Sequence, residues 1–239
     1  MRGFLLALQF LTRLPTPSFV ATDPEFAASM RWFPAVGLII GLSVAGSGWI
    51  VAHLDQWTGA MIALAMWVGV TGGLHLDGLS DLADASGAAH KDRDRLLAVL
   101  ADPHVGSFGV VAIAMQLIAK LVLLHAFITA QAWLALILIP LCARIGPLVW
   151  TRWLPPLHAG LASRFRDAVR PVDIALWMAV LAGAVWACPA LLMTPFLLFL
   201  WGRHVRWTIG GISGDGHGAG IELVETGLLL AATAGVRWT

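Results

Sequence analysis

Four runs of apolar residues, each close to the length of a bilayer-spanning helix, constrain this chain more than any other feature. "FPAVGLIIGLSVAGSGWIVA" (33–52), "GAMIALAMWVGVTGGL" (59–74), "FGVVAIAMQLIAKLVLLHAFITA" (108–130) and the run from "WLALILIPL" to Trp150 approach the roughly 20 residues that a helix needs to cross the hydrocarbon core. Shorter or less clean segments follow at about 172–188, 190–202 and 223–236, which brings the expected number to about seven. With only 12% charged residues and a mean hydropathy of +0.81, the chain lacks the charge that a water-facing surface carries. The expected fold is an all-α, polytopic membrane helix bundle. No linker or internal repeat divides residues 1–239, so one integral-membrane domain is expected.

Basic residues set the expected orientation. Arg2, Arg13 and Arg31 precede the first span; Lys91, Arg93 and Arg95 lie between the second and third. Arg152, Arg164, Arg166 and Arg170 fall between the fourth and fifth, and Arg203 and Arg206 before the last, whereas "HLDQW", "ITAQA" and "CPALLM" contain no Lys or Arg. The positive-inside rule then puts 75–106, 151–171 and 203–219 together on the cytoplasmic side. Trp32, Trp57, Trp133, Trp150, Trp153 and Trp207 sit near the ends of apolar runs, where indoles favour the membrane interface. No cleaved signal peptide is expected, because "FLLALQFL" is short and no small-residue cleavage site follows it. Cys142 and Cys188 lie in or beside apolar runs and read as packing residues. A net charge of +1 gives no reason to invoke nucleic acid.

Within this oily chain, "HLDGLSDLADASGAAHKDRDR" (75–95) gathers five of the fourteen acidic residues. If 75–86 continues as helix from the second span, Asp77, Asp81 and Asp84 stand at i, i+4 and i+7, within roughly 60° of one another on one face. Capping needs one acid rather than three on a stripe. Three such carboxylates repel unless a cation holds them, and hard oxygen ligands suit Mg²⁺ completed by water and substrate phosphate. Asp92 reads as a helix cap, His75 as structural, and His90 and His104 as polar-loop residues.

Two glycine-bearing clusters accompany the stripe. In "ADPHVGSFG" (101–109), Asp102-Pro103 ends a helix, and Gly106 and Gly109 open the third span with N–H groups that could meet an anion. "GGISGDGHGAG" (210–220) surrounds Asp215 and His217 with glycines and reads as a loop able to bind phosphate or add a metal ligand. Lys120 and Arg144 fall inside apolar runs, where an unpaired charge costs on the order of 3 kcal/mol. Pairing with acids and binding a substrate phosphate stand as equal readings for both.

Taken together, "LQFLTRLP" (8–15), "RWFPAVGLIIG" (31–41), "TGGLHLDGLSDLADA" (71–85), "DRDRLLAVLADPHVGSFGVVA" (92–112) and "GDGHGAGIELVE" (214–225) resemble the cobalamin synthase family of adenosylcobinamide-GDP ribazoletransferases. The resemblance runs nearly from end to end. It implies a multispanning inner-membrane enzyme with its site toward the cytoplasm and other corrinoid-pathway enzymes as partners. Such an enzyme joins adenosylcobinamide-GDP to α-ribazole or its 5′-phosphate, with Mg²⁺ present and GMP released. The family's acidic motif falls on Asp77, Asp81 and Asp84 and its C-terminal Gly-Asp motif on Gly214 and Asp215. Asp77, Asp81 and Asp215 are the expected catalytic residues, and Asp77, Asp81, Asp84 and Asp215 the expected metal ligands. Substrate contacts are expected from Arg13, Asp102, Gly106 and Gly109, and further from Lys120, Arg144 and Gly214. The reaction expected is attack by the ribose 5′-hydroxyl on the phosphorus bonded to the cobinamide side.

Rival readings fit less well. A CDP-alcohol phosphotransferase wants Asp-Gly-x2-Ala-Arg, but Asp77-Gly78 is followed at those places by Asp81-Leu82. A prenyltransferase wants a second Asp-x3-Asp pair, for which Asp215 is a poor substitute. A transporter favours repeated halves and midplane charges, whereas these acids cluster at one interface.

Overall fold

The computed structural model describes residues 2–17, 19–88, 93–100, 102, 104–157 and 161–236. His90 and Asp92 lie outside them. The chain runs through α1 (Arg2–Leu11), α2 (Asp23–Ser29), α3 (Phe33–Ala52), α4 (Gln56–Thr71) and α5 (Leu74–Ala88). Next come α6 (Arg93–Leu100), α7 (Ser107–Thr129), α8 (Trp133–Ala143), α9 (Gly146–Trp153) and α10 (Leu161–Ala168). Then α11 (Pro171–Ala187), α12 (Thr194–Thr208) and α13 (Gly214–Val236) close the chain. Among the described residues there is no strand, only an isolated bridge between Pro156 and Ile212.

Local chemistry sets the helix ends. Thr22 and Glu25 form a reciprocal capping box on α2, with Pro24 in its first turn. Asp55 accepts the Thr58 N–H at 2.7 Å and starts α4. Gly72 (φ 62°) and Gly73 (φ 72°) end it in the left-handed region that glycine enters without steric cost. The axis turns by 85° there, so α5 runs across the end of α4 rather than continuing it. The sequence stripe is helical as expected, but on a helix set crosswise to the span before it.

Among the described residues, three helical stretches are long and apolar enough to cross a membrane: Asp23–Ala52, Ser107–Thr129 and Trp133–Trp153, or up to four if the bent pair α4 and α5 counts as one. This falls short of the expected seven. The other apolar runs do form helices, but α11 has 17 residues and α12 has 15, with Arg203 and Arg206 in its second half. Trp133–Trp153 is 78% buried against 33% for Ser107–Thr129, so the former is the central helix and the latter peripheral. On α7, Val111, Met115, Ile118 and Val122 form an exposed apolar stripe, while Gln116, Lys120, Leu124 and Phe127 face inward. Such an arrangement suits lipid on one side and a packed bundle on the other.

Small residues let the bundle close. Gly37 and Gly41, one turn apart on α3, meet the backbone of α8; a Cβ at 37 would lie 2.7 Å from Leu141 Cα, and one at 41 would be 2.8 Å from Ile137 Cα. Gly46 on the same helix has nothing within 4 Å of its would-be Cβ. Gly41→Leu is therefore expected to lower thermal stability in detergent by about 1–3 kcal/mol through overpacking. Gly46→Ala should be neutral or stabilising by up to about 1 kcal/mol from helix propensity. Equal effects in a thermal-shift measurement would contradict this packing.

Candidate active site

The acids converge because α5 and α13 cross very closely. A Cβ on Gly78 would lie 2.8 Å from the Cα of Asp215, and one on Gly218 would lie 3.3 Å from the Cα of His75. Residues 78 and 75 thus oppose 215 and 218, an antiparallel register that only bare glycines at 78 and 218 leave open. Asp77, on the exposed side of α5, and Asp215, in the first turn of α13, then line one cavity of about 150 Å³. Burial, followed by the charges of Asp77, Asp215 and Asp84, pushes the Asp81 carboxyl up to about 6 from an ordinary 3.8. That shared field is the electrostatic signature of the cluster.

Asp84 has a different task from the one its spacing suggests. Its two oxygens accept the N–H groups of Gly106 at 2.8 Å and Gly109 at 2.9 Å. It is buried and caps α7 from a neighbouring helix. The anion that meets the exposed N–H groups of "ADPHVGSFG" is therefore Asp84 itself. A Cβ on Gly106 would sit 2.9 Å from Asp84 Cγ and one on Gly109 3.1 Å, which explains both glycines. This corrects the expectation that Gly106 and Gly109 offer their N–H groups to substrate.

The remaining expected residues separate. Arg13 is exposed and lies over Gly72 at the α4–α5 break, near the start of the acidic helix. Asp102 is exposed and engaged with His104, whose backbone N–H it accepts at 3.0 Å and whose Nδ1 lies at 2.6 Å. Gly214 is the first residue of α13, with open space around its would-be Cβ. "GDGHGAG" is the opening of a helix rather than a loop, and Gly218 and Gly220 serve its packing on α5 and on Trp150 and Trp201. Lys120 lies 2.8 Å from Glu222 and 2.6 Å from Glu225, and Arg144 also pairs with Glu225; all four are buried. Of the two readings for these cations, the structure takes pairing with acids and not an open phosphate site. Glu222 and Glu225 carried no role in the sequence reading, although two acids at the start of the last apolar segment are the natural counterions for two cations in earlier ones.

Asp77, Asp81 and Asp215 are hard oxygen donors, and Asp77 and Asp215 line the same cavity. Among the described residues no three His, Cys, Asp or Glu side chains form a ready-made cage.

Fold and site define a helical membrane protein with a carboxylate centre where two glycine-notched helices cross. The chain belongs to the cobalamin-5-phosphate synthase family, which matches residues 3–233. It is 66% identical to an adenosylcobinamide-GDP ribazoletransferase of Novosphingobium aromaticivorans, over 100% of this chain and 98% of the relative. Relatives of the same name from Laribacter hongkongensis and Thiobacillus denitrificans are 51% identical (99% of this chain, 98% of the relative) and 47% identical (97% and 95%). No solved structure matches the chain.

Two substitutions separate cap from cluster. Asp84→Ala is expected to lower the melting temperature, as the loss of roughly 1–2 kcal/mol of capping does. Asp81→Asn should raise it at pH 7, because the fold disfavours the ionised carboxylate above about 6. That gain should fade as pH falls through 6 and vanish below the ordinary value of 3.8, where the carboxyl is protonated in folded and unfolded chains alike. Thermal unfolding of both variants across this range, without divalent cations, is the check.

Proposed function

We propose that this protein joins adenosylcobinamide-GDP to α-ribazole or α-ribazole 5′-phosphate with release of GMP, using Mg²⁺, at the cytoplasmic face of the inner membrane. The single observation that carries the reading is the cavity lined by both Asp77 and Asp215, with Asp81 in their combined field. Membership of the family and the shared name of its relatives supply the substrates.

The chemistry is phosphoryl transfer, which depends on alignment and on neutralising charge around phosphorus. When bound, Mg²⁺ supplies that neutralisation at the diphosphate oxygens. Asp77 and Asp215, which line the cavity, would hold the metal and so position the diphosphate. Asp81, whose burial and neighbouring carboxylates favour a proton, receives the hydrogen of the attacking hydroxyl. An acceptor used with its 5′-oxygen already phosphorylated cannot attack through that oxygen. The nucleophile is therefore a secondary ribose hydroxyl and not the 5′-hydroxyl expected from sequence. The bond from phosphorus to that oxygen forms, the bond to the GMP oxygen breaks, and GMP carries away the electron pair.

The basic segments support a cytoplasmic position for α6, α10 and the start of α13, and about seven crossings remain part of the same proposal. Detergent-purified protein given adenosylcobinamide-GDP, α-ribazole and Mg²⁺ should release GMP. Asp77→Asn should lower turnover by about 100-fold or more, the scale at which loss of transition-state stabilisation acts. Asp215→Asn should lower turnover and raise the Mg²⁺ concentration needed for half-maximal rate. Wild-type turnover in both variants would remove the acids from the reaction. Reduced turnover of Asp215→Asn with unchanged Mg²⁺ dependence would make Asp215 a positioning residue. For topology, Val105→Cys is expected to react with a membrane-impermeant thiol reagent only from the cytoplasmic side, and Asp55→Cys only from the opposite side.

A further inference from the structure

The cavity beside the acids contains two imidazoles, each with one buried nitrogen that has no partner among the described residues: His75 Nε2 and His217 Nδ1. Buried polar atoms in folded proteins are nearly always hydrogen-bonded, so two such orphans in one cavity point to a ligand. The chemistry of the first is fixed by its neighbour. His75 is 2% exposed, and its Nδ1 lies 3.4 Å from Nη2 of Arg144. A guanidinium has donors and no acceptor, so Nδ1 accepts and the ring hydrogen resides on Nε2. Arg144 is itself held by the Pro140 carbonyl at 2.9 Å and by Glu225. His75, a residue of the cavity wall, therefore carries a buried N–H donor with no acceptor among the described residues.

The walls say what kind of molecule carries that acceptor. Leu11, Met30, Phe33 and Phe165 make the cavity apolar, and its volume is about 150 Å³. Space of roughly this size between such side chains takes one small aromatic ring system. A corrin macrocycle is far too large. Guanine, polar along most of its edge, would leave many groups unpaired against these walls. A benzo-fused heterocycle with one unsubstituted ring nitrogen matches both the apolar walls and the single fixed donor. Seated there, its ribose would reach Asp77 and Asp215, which line the same cavity.

On the basis of the function proposed above, we infer that this cavity binds the benzimidazole base of the ribazole acceptor, with His75 Nε2–H donating to its free ring nitrogen. His75 and Arg144 are then specificity-determining residues, the second acting through the first.

Free benzimidazole and free indole, which has carbon in place of that nitrogen, test this in the wild-type protein. Benzimidazole should inhibit competitively with α-ribazole and not with adenosylcobinamide-GDP, and about tenfold more strongly than indole, as expected for one buried hydrogen bond. His75→Phe should abolish the preference for benzimidazole over indole. It should also raise KM for α-ribazole about tenfold, with KM for adenosylcobinamide-GDP within about twofold of wild type. Competition with adenosylcobinamide-GDP, no inhibition by benzimidazole, or equal inhibition by indole would overturn the inference while the enzyme still released GMP. Absence of GMP release from wild-type protein would instead remove the proposed function itself. The two-inhibitor comparison decides the matter in wild type even if His75→Phe fails to accumulate.

Discussion

A buried cluster of opposite charges holds the helices in their places. Lys120 of α7 reaches Glu222 and Glu225 of α13, and Arg144, at the joint between α8 and α9, pairs with the same Glu225. The ammonium also lies 4.2 Å from the ring centroid of Trp67 on α4, and Gln116 of α7 donates to the Glu222 carboxylate and backbone. Two acids against two bases leave the cluster neutral, as a low-dielectric interior demands. Removal of any one member would leave the other three with an uncompensated buried charge, a loss of about 3–5 kcal/mol. The angle and depth of α13 follow from these contacts. Since Asp215 stands at one end of that helix, the position of the candidate active site does too.

Much of this was legible in the sequence. Each long apolar run is helical, the second ending at the α4–α5 break and the fourth divided into α8 and α9, and Asp77, Asp81 and Asp84 do share a helical stripe. What local pattern could not supply was partners. Asp84 looks like its two neighbours until Gly106 and Gly109, more than twenty residues later, fold back onto it. The glycines around Asp215 have the composition of a loop, yet their lack of side chains serves helix contact, where close approach outweighs low helix propensity. Lys120 and Arg144 admitted two readings because Glu222 and Glu225 lie in another run altogether. The 85° turn at Gly72-Gly73 was hidden for a related reason: two glycines can mark a close approach or a left-handed turn, and only the path of the chain distinguishes them.

The same economy of side chains appears at every close contact. Gly37 and Gly41 admit α8, Gly78 and Gly218 admit the α5–α13 crossing, and Gly106 and Gly109 admit the Asp84 carboxylate. Apolar association contributes little inside a bilayer, where lipid tails are as oily as leucine, so cohesion comes from van der Waals contact and buried polar bonds. The notches supply the first and the charge cluster the second. Both bear on the acids, which are brought together without any flexible segment between Asp77 and Asp81.

The cap on α7 carries a mechanical consequence. Asp84 belongs to the acidic helix, yet it grips the first turn of a peripheral span whose outer stripe, from Phe108 through Val122, meets the surrounding medium. A helix so placed tilts when the thickness of the bilayer departs from its apolar length. The acidic helix and the start of α7 are thus joined at one carboxylate, so a displacement of either helix at this point loads the other.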